Sequence, residues 1–250
     1  MKYFFFFLIL FFSYSLYSQG VKSVEHTSQY WLTYFGKFRV SNQLELIAES
    51  TVRSVDHSIN KASQSLVLLG LSWNVNGFVK LATGYQHISL LPNTSKITVT
   101  QLEYRPWQQI QVFKSFSSNK ITQRLRIEER FRKVLLNDSI LTPETLFNFR
   151  FRYLISAELP LSKNQGLLKN ISLILSDEIF IQAGKQVVYN YFDQNRISTS
   201  FRYRFNEGNT LEFCYINLFQ QLPTGNNFRN LNILRLSYFQ NLDLRKARKG

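Results

Sequence analysis

The stretch ITQRLRIEERFRK, Ile121 to Lys133, alternates residue by residue. One face reads Thr122, Arg124, Arg126, Glu128, Arg130 and Arg132. The other reads Ile121, Gln123, Leu125, Ile127, Glu129 and Phe131. Successive side chains of an extended chain point to opposite faces, so a period of two marks a β-strand. The run is also long, because strands of soluble sheets usually hold about five or six residues.

The same pattern recurs along the chain. Phe147, Phe149, Phe151, Tyr153 and Ile155 oppose Asn148, Arg150, Arg152, Leu154 and Ser156. Ile197, Thr199, Phe201, Tyr203 and Phe205 oppose Arg196, Ser198, Ser200, Arg202 and Arg204. Leu44, Leu46, Ala48, Ser50 and Val52 oppose Glu45, Ile47, Glu49, Thr51 and Arg53. After Gly20 no segment carries a convincing helical stripe.

A secreted β-sandwich would also alternate, but its strands would be shorter and its edges would need cover. A transmembrane barrel needs about 9–11 residues per tilted strand, apolar outside and polar inside, with aromatic girdles. Closure pairs every backbone group, which hydrocarbon demands. The reading is therefore all-β: an antiparallel transmembrane β-barrel following a cleaved signal peptide. Strands are expected near 29–40, 43–54, 63–74, 78–89, 97–113, 120–133, 145–158, 169–181, 195–206, 209–221 and 229–242. These windows make eleven, whereas single-chain bacterial barrels have even counts. The expectation is 10–12 strands with twelve favoured, either through an extra strand at 20–28 or through a different division of 97–113. Short turns after strands one, three, five and nine put the start of strand one at the long-loop end. That conflicts with delivery from the periplasm.

The N-terminus reads as an address. Lys2 precedes the apolar run YFFFFLILFF, Tyr3 to Phe12, and a more polar Ser13 to Ser18. The run is too short to span about 30 Å of hydrocarbon, which takes roughly 20 residues. A signal peptide over 1–19, cut near Ser18 or Gln19, fits it. Residues 20–244 would form the barrel and 245–250 a basic tail. No cysteine follows the cut site, so a lipid anchor is not indicated. The expected location is the outer membrane of a Gram-negative bacterium, with membrane lipids and lipopolysaccharide as surroundings.

Composition narrows the function. Phe (23) and Tyr (13) are too abundant for a disordered chain. A single cysteine, Cys214, excludes an internal disulfide, and three histidines leave little for a zinc site. No Gly-rich phosphate loop or calcium-loop spacing appears, so neither a cofactor nor a metal is expected. The 30 Lys and Arg against 16 Asp and Glu fall largely on the polar strand face, in a compartment without a genome. Nucleic acid is therefore not an expected partner.

If Phe and Tyr face lipid, the charges face inward. The expected lumen ladder is Glu45, Glu49, Arg53, Glu103, Arg105, Arg124, Arg126, Glu128, Arg130, Arg132, Arg150, Arg152, Arg202 and Arg204, with Glu178, Glu212 and Arg235 beside it. Arginine's planar fork suits pairing with carboxylates such as Glu103 and Glu128. Two uses compete: a plug of ion pairs in a structural barrel, and a small-solute pore with an anion-attracting wall.

Four strings carry a family resemblance: EYRPWQQ at Glu103–Gln109, QRLRIEERF at Gln123–Phe131, FRFRY at Phe149–Tyr153 and FDQNR at Phe192–Arg196. With them the chain resembles an uncharacterised outer-membrane barrel family, domain-of-unknown-function family 2490, frequent in Bacteroidetes, over most of 28–244. The resemblance implies a small outer-membrane barrel and supplies no catalytic residues.

One pair invites a catalytic reading. His87 and Ser89 lie two apart on an expected strand, sharing parity with Val79, Leu81 and Tyr85, hence facing lipid. Outer-membrane phospholipases and lipid A deacylases use such a pair. A serine needs a histidine within hydrogen-bond reach, and that histidine needs a third group to orient it. Glu103 has the parity of Arg105 and is expected inward, and Asn93 is in a loop. An enzyme is therefore not the favoured reading, and a lipid hydrolase using His87 and Ser89 is the alternative. His26 and His57 read as solvated, Cys214 as a small packed side chain, and Asp177 and Glu178 as facing opposite sides. The Gln182–Asn195 loop, with Val187, Val188, Tyr189, Tyr191 and Phe192, is a candidate contact for a small solute or a protein partner.

Overall fold

The computed structural model describes residues 22–92, 96–162 and 167–245. The expected signal peptide at 1–19, Asn93, and all of the basic tail beyond residue 245 lie outside the described residues.

Thirteen strands follow in chain order: β1 (Ser23–Arg39), β2 (Leu44–Ser54), β3 (Ala62–Asn74), β4 (Val79–Leu90), β5 (Gln101–Phe116), β6 (Asn119–Arg132), β7 (Leu135–Asn137), β8 (Ile140–Leu141), β9 (Leu146–Pro160), β10 (Ile171–Ala183), β11 (Phe192–Arg204), β12 (Asn209–Gln221) and β13 (Asn227–Asp243). β7 and β8 form a small separate hairpin in the β6–β9 connection. The other eleven close into one barrel.

The favoured count of twelve is corrected to eleven. Residues 23–28 are the start of β1, and the long fifth window is one strand. In a meander each strand reverses direction, so with an odd number the first and last run the same way. β1 and β13 accordingly pair in parallel, from Ser23 opposite Asn227 to Arg39 opposite Asp243. Even counts belong to barrels closed by an antiparallel seam. A parallel ladder satisfies the same backbone groups with slanted bonds, slightly less stably per residue.

The odd count also separates the termini. β1 begins at the end bearing most of the longer connections, and β13 ends where the four tight turns are, together with the 161–170 connection between β9 and β10. Those turns are held by short polar side chains. Asn76 Oδ1 accepts from the Phe78 and Val79 amides at 2.8 and 2.9 Å, and Ser41 Oγ accepts from Gln43 and Leu44 at 3.2 and 3.0 Å. Asn and Ser favour turns because they can make these local bonds.

The outer face is largely apolar, interrupted by Gln123 and Glu129 on β6 and by Asp177, Asn195, Asn217, Asn230 and Asn232 on β10–β13. Leu32, Leu69, Leu125, Leu175, Phe201 and Phe213 are exposed on it. Aromatic pairs collect near both rims. Phe131–Phe147–Phe149 and Tyr85–Tyr104 lie toward the long connections, and Tyr34–Tyr238 and Tyr203–Phe205 toward the tight turns. Among the described residues no helix is long and apolar enough to cross a membrane. The strands carry the apolar surface instead, with its aromatic girdles in the manner of a transmembrane barrel.

The interior departs from the expected charged ladder in one respect: only part of it is charged. β5, β6, β9, β10 and β11 line one side with Arg, Glu and Gln. The opposite side is apolar over its middle, with Trp31, Cys214, Ile216, Leu218, Leu231 and Ile233 forming a buried cluster between Arg229 on one side and the Arg235–Glu212 pair on the other. Leu68, Ala82 and Trp107 form a second.

Candidate functional site in the barrel lumen

The charged wall is built by strand parity. Even residues of β6, β9, β10 and β11, and odd residues of β2 and β5, point inward, so carboxylates and guanidiniums from adjacent strands meet. Glu128 is the hub. It is fully buried and accepts from Arg150 Nε at 2.8 Å, with a shorter contact from Arg150 Nη2, and from Arg152 Nη1 at 2.5 Å. Arg105 Nη1 and Arg126 Nη1 stand at 3.8 and 4.0 Å from it.

Two further carboxylates extend the network. Glu103 accepts from Arg105 Nε at 2.7 Å and Arg130 Nε at 2.5 Å. Glu178 accepts from Arg124 Nη2 at 2.6 Å and Arg152 Nε at 2.9 Å. Arg150 also reaches Asp193 at 3.3 Å. A separate group joins Arg202 to Glu212 at 2.6 Å and to Glu158 at 3.2 Å, and Arg235 to Glu212 at 3.1 Å. Glu45 takes Lys80 at 2.9 Å and Arg39 at 3.8 Å. Pairing and hydrogen bonding of this kind offset the cost of burying charge.

Other ladder residues are not brought into pairs. Glu49 accepts from Thr51 Oγ1 at 3.3 Å, and among the described residues it makes no ion pair; nor do Arg132 and Arg204. Arg124 pairs with Glu178 rather than with Glu103 or Glu128.

Three arginines are held by amides, Arg53 and Arg196 without an ion pair among the described residues and Arg126 beside its long contact to Glu128, and each lies over an aromatic ring. Arg126 Nε and Nη2 donate to Gln109 Oε1 at 3.0 and 2.7 Å, with the guanidinium 4.4 Å from the Trp107 ring centre. Arg53 Nη1 donates to Gln64 Oε1 at 2.8 Å, and its guanidinium lies 3.9 Å from the Trp31 ring centre. With the Gln194 amide turned so that its oxygen faces Arg196, that oxygen accepts from Arg196 Nε at 3.0 Å and Nη2 at 2.7 Å. Its guanidinium lies 4.6 Å from Phe180 and 5.5 Å from Trp31. A neutral amide fixes a guanidinium without cancelling its charge. A ring face attracts the cation by its quadrupole.

A cavity of about 830 Å³ runs along the lumen, from Gln29, Ile97 and Arg229 near the long connections to Lys37 and Phe239 near the tight turns. Among the described residues its wall carries fourteen Arg and Lys side chains against five Asp and Glu. Leu66, Leu218, Leu231 and Trp31 line its apolar side. The sequence reading passed over Trp31, Trp107, Gln64, Gln109, Asp193 and Gln194 as lumen residues. The only signal lay in the strings RPWQQ and FDQNR, which hold four of them.

On the outer face, Ser89 Oγ and His87 Nε2 are 3.2 Å apart. The His87 ring centre lies 5.2 Å from that of Tyr104, its partner on β5. Glu103 is buried in the lumen with Arg105 and Arg130. Among the described residues no carboxylate or amide bonds the other imidazole nitrogen. His57, read as solvated, is exposed, with Nε2 at 3.4 Å from Asp56.

The connection after β10 folds against its neighbour. Val187 is buried, and the Tyr189 carbonyl accepts from Gln221 Nε2 at 3.1 Å. Val188, Tyr189 and Tyr191 remain exposed. Among the described residues no group of three His, Cys, Asp or Glu is arranged to hold a metal.

The model of a family described as proteins of unknown function, DUF2490, matches residues 28–229, and the chain belongs to that family. No curated protein and no solved structure matches it.

Proposed function

We propose that this chain is an outer-membrane β-barrel whose lumen is a narrow pathway for small anions. The observation that carries this reading is the unequal charge of the lumen: among the described residues fourteen cations line the cavity, against five carboxylates in its lining and three more, Glu25, Glu128 and Glu158, that pair with those cations. A plug that only holds a barrel shut would balance its charges, because each unpaired buried ion costs free energy. Rings of Arg and Lys are the usual lining of anion pores. The apolar, aromatic-girdled outer face supports a membrane location, and the apolar run at Tyr3 to Phe12 supports export through a signal peptide. Lipopolysaccharide and phospholipid are then the surrounding solvent. Fractionation of cells should recover the chain in the outer membrane, with heat-modifiable gel migration. Refolded protein should give step conductances in planar bilayers. Recovery as a soluble periplasmic monomer, or folded protein giving no steps, would count against it.

A second reading has one observation in its favour. His87 Nε2 stands 3.2 Å from Ser89 Oγ on the lipid-facing side near the long-connection rim, where a lipid ester could reach both. Histidine would take the serine proton as the hydroxyl attacks the ester carbonyl. Without a group to hold the imidazole tautomer, such a couple is weak. Phospholipid or lipid A turnover that disappears in a folded Ser89→Ala variant supports the hydrolase. Equal or absent turnover in both proteins removes it.

A further inference from the structure

The wall of the cavity is divided, and the two halves meet at Trp31. On β1, Trp31 belongs to the apolar cluster with Ile216, Leu218 and Leu231. Its indole Nε1 donates to Gln29 Oε1 at 3.0 Å, which orients the ring. Arg53 approaches that ring from β2 and Arg196 from β11, at 3.9 and 5.5 Å from its centre.

Neither guanidinium has a carboxylate partner among the described residues. Arg53 Nε is buried without a hydrogen-bond partner. Both heads are fixed by glutamine amides, which position them without an ion pair; Glu178, opposite Arg196 in the β10–β11 ladder, bonds Arg124 and Arg152 instead. Two like charges converging on one ring, in a lumen where most other arginines have carboxylates, make an arrangement that an anion would relieve. The surface around them is apolar. Arg196 is opposite Leu218 in the β11–β12 ladder, and Leu218 is opposite Leu231. Leu66, also lining the cavity, is buried on β3.

We propose that the lumen holds a binding site for a small organic anion, a carboxylate with an apolar or aromatic body. Arg53 and Arg196 take the carboxylate, and Trp31 with the Leu66, Leu218 and Leu231 side takes the body. Planar guanidinium and planar carboxylate match through parallel N–H to O bonds. An inorganic anion would use the arginines and leave the apolar side hydrated; a neutral ring would use the apolar side and leave the charges unrelieved. The cavity of about 830 Å³ falls within the range of small-molecule pockets, roughly 300–1,000 Å³. This inference shares the inward arginines with the pore reading and does not require that the lumen conduct.

Titration calorimetry of the refolded full chain in maltoside micelles tests it, with empty micelles subtracted. Benzoate should bind with one saturable site. Benzamide, its neutral analogue, and inorganic phosphate should each bind at least tenfold more weakly. Arg53→Gln and Arg196→Gln should each weaken benzoate at least tenfold while heat-modifiable migration is kept. Benzamide or phosphate matching benzoate overturns the proposal, as does unchanged affinity in the folded variants. Should a variant not fold, the three probes on the unaltered chain decide. A barrel that binds benzoate and gives no conductance fails as a pore and keeps this site. One that conducts and ignores benzoate loses only the site.

Discussion

Gly70 and Gly84 face each other across the β3–β4 ladder, and the indole of Trp107 lies in the space their missing side chains leave. A Cβ on either glycine would come within 2.6 Å of Trp107 Cζ2, and one on Gly84 would also strike the Leu69 carbonyl oxygen. Backbone does not yield to such contact, and overpacking costs about 1–3 kcal/mol or more. Gly84→Val should lower the refolding yield and the denaturant midpoint of the heat-modifiable form. Gly77→Ala, in open space at a turn, should leave both unchanged.

Glu128 is the single fully buried carboxylate among the described residues and serves four arginines. Removing one partner of a buried ion pair costs about 3–5 kcal/mol, since the other charge is left uncompensated. Glu128→Gln should shift the urea unfolding curve by that order. Glu158→Gln, whose side chain is partly exposed and meets one arginine, should shift it by less than about 1 kcal/mol.

Side-chain direction can be read by placing a charge on the outer face. Leu125 is exposed there at mid-strand, whereas Phe149 sits among the aromatic rings near the rim. Leu125→Arg should cost about 2–4 kcal/mol in lipid and Phe149→Arg about 0–1, following depth in the bilayer. Arg150→Gln removes a lumen charge and should respond to denaturant in detergent and in lipid alike. Equal costs for the two outer-face variants would contradict the assigned depths.

The parallel seam is open to cross-linking. Tyr34 and Tyr238 are direct partners across it, with ring centres 6.3 Å apart. Tyr34→Cys with Tyr238→Cys should oxidise to an intramolecular bridge and migrate faster on non-reducing gels, since partner Cα spacing suits a disulfide. Tyr34→Cys with Leu211→Cys, one strand further on, should not bridge. A bridge in the second pair alone would move the seam.

The eleven windows were readable because burying charge in hydrocarbon is costly, so β6, β9 and β11 declare their inner sides in the alternation itself, Glu129 near the rim of β6 being the exception. β12 does so only at Glu212. Beyond it Cys214, Ile216 and Leu218 point inward while Phe213, Tyr215 and Phe219 point outward, so the middle of the strand is largely apolar on both faces. Period two then reveals a strand without revealing its inside, which concealed the apolar half of the lumen. The seam was hidden for another reason. Whether Ser23–Arg39 pairs with Asn227–Asp243, and in which sense, depends on the number of strands between them and on no local residue pattern. Trp107 was ambiguous because a tryptophan beside Arg105 and Gln109 reads equally as an interfacial anchor. Only the facing glycines of two other strands make room for it inside.

The most direct measurement is the reversal potential of the refolded barrel in a planar bilayer under a tenfold KCl gradient. A wall with fourteen cations against five carboxylates among the described residues predicts a potential of the sign set by chloride carrying most of the current. It should move toward zero when Arg53 and Arg196 are both replaced by glutamine. A potential of the opposite sign, with potassium preferred, would contradict the account.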